Sequence, residues 1–253
     1  MRIHSAALVL GALALAACGD DDDNGTQPVP QNTNIKVVHA IANAGTVAVQ
    51  VDNGTPPAIS GFNFRDIRPT ANGQYLQIPA GQRRLRVLLN NGAGAAAIDV
   101  SPTLVANANY TVVAAGTAGG ATGTPLAPAP ILLTDTLTAP ATGQVRIRAV
   151  HAASSVGNVD IHASSATAPN FSAATRIFAA VPFRASGAVS VAAGNYSLCI
   201  IGAGTTPTAN GSNCAILAPT GALAAGTIAT GFAVDAATAG GAPGLILTVD
   251  RAP

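Results

Sequence analysis

The chain has 253 residues, a net charge of +1 and a hydrophobic content of 49%, to which aromatics contribute little because they form only 4% of the chain. It has no Glu, no Trp and a single Lys, Lys36, so it lacks both the Glu/Lys-rich mixture of long helices and the dense basic face that neutralises nucleic-acid phosphates. With 27 Gly and 17 Pro among Val, Ile, Leu and Ala, it reads as short strands joined by turns around a thin aliphatic core.

The first segment, residues 1–18, has the pattern of an export signal. Arg2 supplies a positive start, Ala6 to Ala17 forms an apolar run too short to span a bilayer, and Leu15-Ala16-Ala17-Cys18 closes it. Small residues before a Cys resemble the bacterial lipobox, which implies lipidation of Cys18 as the mature N-terminus; an ordinary signal peptide that contains a Cys is the alternative. Gly19 follows where Asp would favour inner-membrane retention, so the resemblance favours the outer membrane. Residues 19–34 hold four Asp, two Pro and several Asn, Gln and Thr, and read as a disordered acidic tether.

The strands that follow come twice. Ile35-Lys-Val-Val-His-Ala40 recurs 112 positions later as Ile147-Arg-Ala-Val-His-Ala152. In the first, Ile35, Val37 and His39 share one face and Lys36 the other; in the second, Ile147, Ala149 and His151 share the face opposite Arg146 and Arg148. A Gly and a second alternating run follow each: Gly45 with Val47, Val49 and Val51, then Gly157 with Val159 and Ile161. Phe62 and Phe64 are matched with Phe178 and Phe183, and Leu76-Gln-Ile-Pro-Ala-Gly81 with Val189-Ser-Val-Ala-Ala-Gly194. Leu85 and Val87 are matched with Leu198 and Ile200, and Ile131-Leu-Leu-Thr134 with Leu245-Ile-Leu-Thr248. The expectation is two domains, residues 35–138 and 144–253, separated by a linker near Ala139 to Gln144 and folding independently.

The paired V-H-A strands, the later A-G turn and the Tyr110-Thr-Val-Val-Ala-Ala-Gly116 run resemble the DUF4397 family, in two copies over most of residues 35–250. The resemblance implies an exported β-rich domain and supplies no mechanism. An Asp precedes the second strand's aromatic in the fuller family pattern; Asp160 matches it, whereas repeat one has Ala48. The fold expected is all-β: two tandem β-sandwiches, immunoglobulin-like or transthyretin-like.

His39 and His151 are the sharpest repeated polar residues. Their parity puts them with the inward side chains, where a bonded structural imidazole is favoured over a catalytic base or metal ligand, because no nucleophile or ligand recurs beside them. Asp160 and His162, two apart on one strand face, are a metal pair lacking a third ligand, and a solvated face is the favoured alternative. Arg83, Arg84 and Arg86 are read as a wet strand face that discourages edge pairing, with an anionic sugar or lipid head group as the competing occupant. Gly202-Ala-Gly204 fails the dinucleotide fingerprint, and neither H-E-x-x-H, C-x-x-C nor G-x-S-x-G occurs. Beyond an export signal, Cys199 and Cys214 are expected to form a disulfide local to repeat two.

These readings converge on a non-enzymatic, lipid-anchored envelope protein with a structural, adhesive or presentation role. No catalytic residue, cofactor or metal is assigned, and the partners expected are the membrane, through the anchor, and an unidentified protein or glycan. A glycan- or peptide-binding module using loops at the sandwich ends is the alternative, and an envelope enzyme comes third.

Overall fold

The V-H-A strands carry apolar residues on both parities: Ile35, Val37 and Ile41 on one, Val38 and Ala40 on the other. A strand with two apolar rows needs cover on both faces. That requirement organises the computed structural model, which describes residues 31–253 apart from residue 239. The protein is all-β, and its described helical segments are two single 3-10 turns. Among the described residues no helix is long and apolar enough to cross a membrane.

The first half contains β1 (Asn32–Ala42), β2 (Val47–Val51), β3 (Ile59–Phe62), β4 (Ile67–Arg68), β5 (Leu76–Pro79), β6 (Gly81–Gln82), β7 (Leu85–Leu88), β8 (Ala96–Val100), β9 (Thr103–Leu104), β10 (Asn109–Thr117) and β11 (Ala129–Thr134). The second contains β12 (Gln144–Ala152), β13 (Val159–Ser165), β14 (Thr175–Val181), β15 (Ser186–Ala192), β16 (Gly194–Gly202), β17 (Ile216–Leu223), β18 (Ile228–Val234) and β19 (Gly244–Arg251).

In the first half a sheet ordered β11-β10-β1-β4, with β5 also on β1, faces a sheet ordered β3-β2-β7-β8. In the second, β15-β12-β18-β19 faces β14-β13-β16-β17. Among the described residues each half has one parallel pairing, β1 with β10 and β12 with β18, in the same register: Lys36 lies opposite Thr111, and Arg148 opposite Thr230. No sheet is shared between the halves among the described residues. Ile35, Val37, Val49, Phe62, Val87 and Val112 fill the first sandwich; Val159, Ile161, Val181, Ile200 and Ile216 fill the second.

The other parity builds a seam between the sandwiches. Val38, Ala40, Val113, Ala115 and Ile131 pack against Val150, Ala152, Phe232 and Val234, with Phe183 and Ile246 at the border. The period alone led us to expect two separate units; each keeps its own sheets, and the two parallel-paired sheets bury their outer faces on each other. Lys36, at the end of this row, is completely buried.

Three boundaries and matches are corrected by the register. β1 begins at Asn32, so the predicted tether, 19–34, overlaps the fold; Thr33 is buried and its hydroxyl donates to the Ala108 carbonyl at 3.0 Å. The rest of the tether, the export signal and Cys18 lie outside the described residues. The partner of Val47 is Phe62 and that of Val159 is Val181, so Phe62 corresponds to Val181, and Phe178 to Ile59. The last strands match one residue later than the sequence comparison placed them: Thr134 lies opposite Tyr110 and Val249 opposite Ala229, which makes Asp250 the counterpart of Asp135.

Cys199 is bonded to Cys214 with a Cα–Cα distance of 5.4 Å, tying the loop before β17 over the outer face of β16, where Phe171 and Ile201 pack on it. A closed loop of this size contributes about 3 kcal/mol in the chain-entropy account.

Candidate functional site

The two histidines hold matching corners. His39 is 0% and His151 2% exposed. His39 Nε2 donates to the Gly45 carbonyl at 3.0 Å, and His151 Nε2 to the Gly157 carbonyl at 2.9 Å, each pinning the glycine turn that leads to the next strand. His39 Nδ1 accepts the Ile41 N–H at 3.2 Å, which assigns the neutral tautomer with its proton on Nε2. The His39 backbone takes the N–H of Arg65 at 2.8 Å, and the His151 backbone that of Arg184 at 2.7 Å. Aromatic rings enclose both imidazoles: Phe62 and Phe64 around His39, Phe183 beside His151.

Burial lowers both imidazoles from their ordinary value, more than the glycine carbonyls raise them. The unfolded chain therefore takes up protons first as the pH falls. Stability from the neutral rings is complete above the ordinary value of 6.5 and is lost as pH drops through it towards the folded values. Thermal melts between about pH 7.5 and 5 are expected to show this loss, and His39→Gln should flatten the profile. His39→Ala should cost about 1–3 kcal/mol, because it leaves the buried Ile41 N–H without its acceptor, and His151→Ala about 1 kcal/mol, because the Gly157 carbonyl it frees is exposed. A pH-independent melt of the wild-type chain is the contrary result.

The arginines at these corners cross the seam. Arg65 and Arg184 both have left-handed backbones, with φ of 71° and 68°, and both lie over the ring of the preceding Phe. Arg65 donates to the Asp235 carbonyl of the second half at 2.5 Å, while Arg184 donates to the Ala127 carbonyl of the first. The V-H-A strand thus anchors a Phe-Arg loop that clasps the other half.

A reciprocal charge cluster lies at one end of the seam. Lys36 Nζ of the first half meets Asp250 Oδ1 of the second at 2.7 Å, and Arg148 Nη1 of the second meets Asp135 Oδ1 of the first at 2.7 Å. Lys36 and Arg148 occupy equivalent positions, as do Asp135 and Asp250, so the two contacts exchange under an approximate two-fold rotation. Thr111 donates to Asp135 at 2.6 Å and Thr230 to Asp250 at 2.5 Å. Opposite charges and hydroxyl donors together compensate the desolvation of the buried ions. Sequence reading noted Lys36 and Arg148 only as outward residues and missed both acids; a one-residue shift in matching the last strands would have aligned them.

At the other end, Asp235 accepts four hydrogen bonds, from the backbone N–H and hydroxyl of Ser154 and of Ser155, at 2.5–2.9 Å. Ser154 Oγ lies 2.8 Å from Thr117 Oγ1 across the seam. These hydroxyls are committed to a carboxylate that holds a turn.

The remaining candidates are structural in their contacts. Asp160 is 2% exposed, which corrects the expectation of a solvated face: the loop before β17 covers it. Burial raises this carboxyl, but the N–H groups of Ala180 at 2.7 Å and Gly204 at 3.0 Å, together with Arg176, bring it below its ordinary range. Both ring nitrogens of His162 are buried without a hydrogen-bond partner among the described residues. No three His, Cys, Asp or Glu side chains gather as a metal site among the described residues. Arg83 pairs with Asp52 at 2.8 Å and Arg84 with Asp99 at 2.5 Å, while Arg86 donates to Gln50.

Comparison with known proteins gives a family and little else. No curated protein matches the chain. The Bacillus anthracis TIE protein is similar at 7% identity and a TM-score of 0.25, over 81% of this chain and 33% of its own. CBMbc, of family CBM26, from Eubacterium rectale Amy13K in complex with maltoheptaose, is similar at 13% identity and a TM-score of 0.22, over 88% of this chain and 98% of its own. A leucine-rich repeat protein from Bacteroides thetaiotaomicron is similar at 12% identity and a TM-score of 0.20, over 82% of this chain and 26% of its own. This chain therefore spans about a third of the first and a quarter of the last, and similarities this low carry no functional argument. The profile described as a domain of unknown function, DUF4397, matches residues 33–162, which takes in the whole first sandwich and β12 with the start of β13. That match exceeds half of the sequence, and the chain belongs to the DUF4397 family.

Proposed function

We propose that the chain is an exported, lipid-anchored envelope protein in which two DUF4397 units in tandem act as a non-catalytic structural, adhesive or presenting body on the outer membrane. The observation that carries this reading is the employment of the repeated polar residues. Both histidines hold glycine turns, both Phe-Arg loops clasp the opposite half, and the buried acids pair with cations across the seam. Such a set favours rigidity over chemistry. The small-residue run before Cys18 supplies the anchor, and the acidic segment after it the spacing from the membrane.

Expression of the full chain in a bacterial host tests the anchor. Mass spectrometry of the mature N-terminus should find acylated Cys18, and Cys18→Ser should release the protein from the membrane fraction. A mature chain cut elsewhere and unmodified would overturn the reading.

A further inference from the structure

Beside the charge cluster the two-fold relation of the seam is broken, and the break leaves a cavity. In the first half, Leu76 lies opposite Ile35, so Tyr75 is next to Lys36; in the second, Ala188 lies opposite Arg148. Tyr75 and Ala188 are therefore counterparts. Tyr75 lies ten positions after Arg65, but Ala188 only four after Arg184. The longer segment reaches across the seam: Gly73 N–H donates to the Val249 carbonyl at 2.9 Å, and Asn72 Oδ1 accepts the Val249 N–H at 3.3 Å. The second half has no such segment. In its place is a cavity of about 330 Å³ lined by Asp135, Arg146, Arg148, Ala188, Ile228 and Asp250, with residues 134–137 along one side. Ala188 and Thr134 are exposed at its mouth, whereas the carboxylates of Asp135 and Asp250 are buried.

The first half shows which group this arrangement accepts. The Tyr75 ring lies under the Lys36 ammonium, 4.8 Å from Nζ, and its hydroxyl donates to Asp135 Oδ2 at 2.8 Å. Burial, then the negative charge of Asp135, pushes the phenol far above its ordinary pKa, so it stays a donor. Asp135 Oδ2 thus takes two hydroxyls, those of Thr111 and Tyr75. On the other side, Asp250 Oδ2 takes the hydroxyl of Thr230, with Arg148 Nη2 at 3.7 Å. The counterpart cation is Arg148, a guanidinium whose plane suits an aromatic ring better than an ammonium does.

We propose that this cavity binds a phenolic group, with the ring against the Arg148 guanidinium and the hydroxyl donating to Asp250. Cation–ring attraction and one charge-assisted hydrogen bond in a partly enclosed site are the forces that select it. The chemistry is shared by a free phenol and by a tyrosine side chain of a peptide. Its size falls within the range of small-molecule sites.

Titration of the full chain with p-cresol and with N-acetyltyrosinamide, followed by amide chemical shifts, tests the proposal and separates the two sources. Both should perturb residues 134–137, 146–148 and 188; perturbation by p-cresol alone would restrict the site to free phenols. Toluene and N-acetylphenylalaninamide, which lack the hydroxyl, should bind at least about tenfold more weakly, the usual loss for one hydrogen bond to a charged acceptor. Ala188→Tyr should abolish p-cresol binding without lowering Tm, because the exposed position accepts a larger side chain; Ala188→Leu should also abolish it by filling the space. Failure of p-cresol to bind, equal binding of toluene, displacement of p-cresol by inorganic phosphate, or undiminished binding in folded Ala188→Tyr would each overturn it.

Discussion

Asp250→Ala is expected to lower the stability of the folded chain by about 3–5 kcal/mol, because it leaves a cation buried without its partner. Lys36 is 0% exposed, and Asp250 Oδ1 at 2.7 Å is the carboxylate that neutralises it. The same substitution removes the acceptor of Thr230, which in turn accepts from Arg148 Nε at 3.0 Å. In a two-sandwich chain of this size the loss corresponds to a fall in Tm of roughly 6–20 °C. The partner experiment is the double variant Lys36→Met with Asp250→Leu, which replaces the ion pair by apolar side chains of similar volume and should recover most of the loss. Differential scanning calorimetry measures both. A single variant within about 1 kcal/mol of the wild type, the value of an exposed pair, would show that water reaches Lys36.

The second half expressed alone, residues 144–253, is expected to form a two-fold homodimer. Its exposed seam would carry Val150, Ala152, Phe232 and Val234, all buried in the full chain, beside Arg148 and Asp250. This surface is self-complementary. Arg148 meets an acid of the other half at the place equivalent to Asp250, and Asp250 meets a cation at the place equivalent to Arg148. Two copies therefore repeat the native contacts in the isologous form that closed dimers use. Sedimentation should give twice the monomer mass, and the melting temperature should rise with protein concentration. Arg148→Asp in this fragment should prevent the pairing by placing like charges opposite one another. A monomer with a concentration-independent cooperative melt would return the halves to the independence that the sequence period first suggested.

Such a seam changes how the repeated motif is understood. His39 and His151 hold the turns; Arg65 and Arg184, a few positions after the third strand of each half, carry the clasp. Each half lends its loop to the other's border, so a change in one Phe-Arg loop acts on both sandwiches. The break in symmetry at Tyr75 and Ala188 then has a natural place: one half closes its border with its own phenol, and the other leaves room for a phenol from outside.

Strand period and motif spacing alone were enough for the all-β class, the pairs of strands at each V-H-A segment and the inward parity of both histidines. Side-chain alternation in a strand is a local rule, and the Ile35, Val37, His39 row obeys it wherever the strand is placed. The Cys199–Cys214 partnership was legible for a similar reason: two thiols 15 residues apart in one strand-loop-strand segment have few other ways to pair. What tertiary structure alone decided is the fate of the second parity. Lys36 and Arg148 made that row read as an outer face, although Val38, Ala40, Val150 and Ala152 continue it. A charged residue in a strand is ordinarily solvated, and its burial depends on counter-charges 214 and about 13 positions away in sequence, Asp250 for Lys36 and Asp135 for Arg148. No local pattern encodes those separations; they follow from packing two parallel-paired sheets back to back, which is a property of the assembled chain.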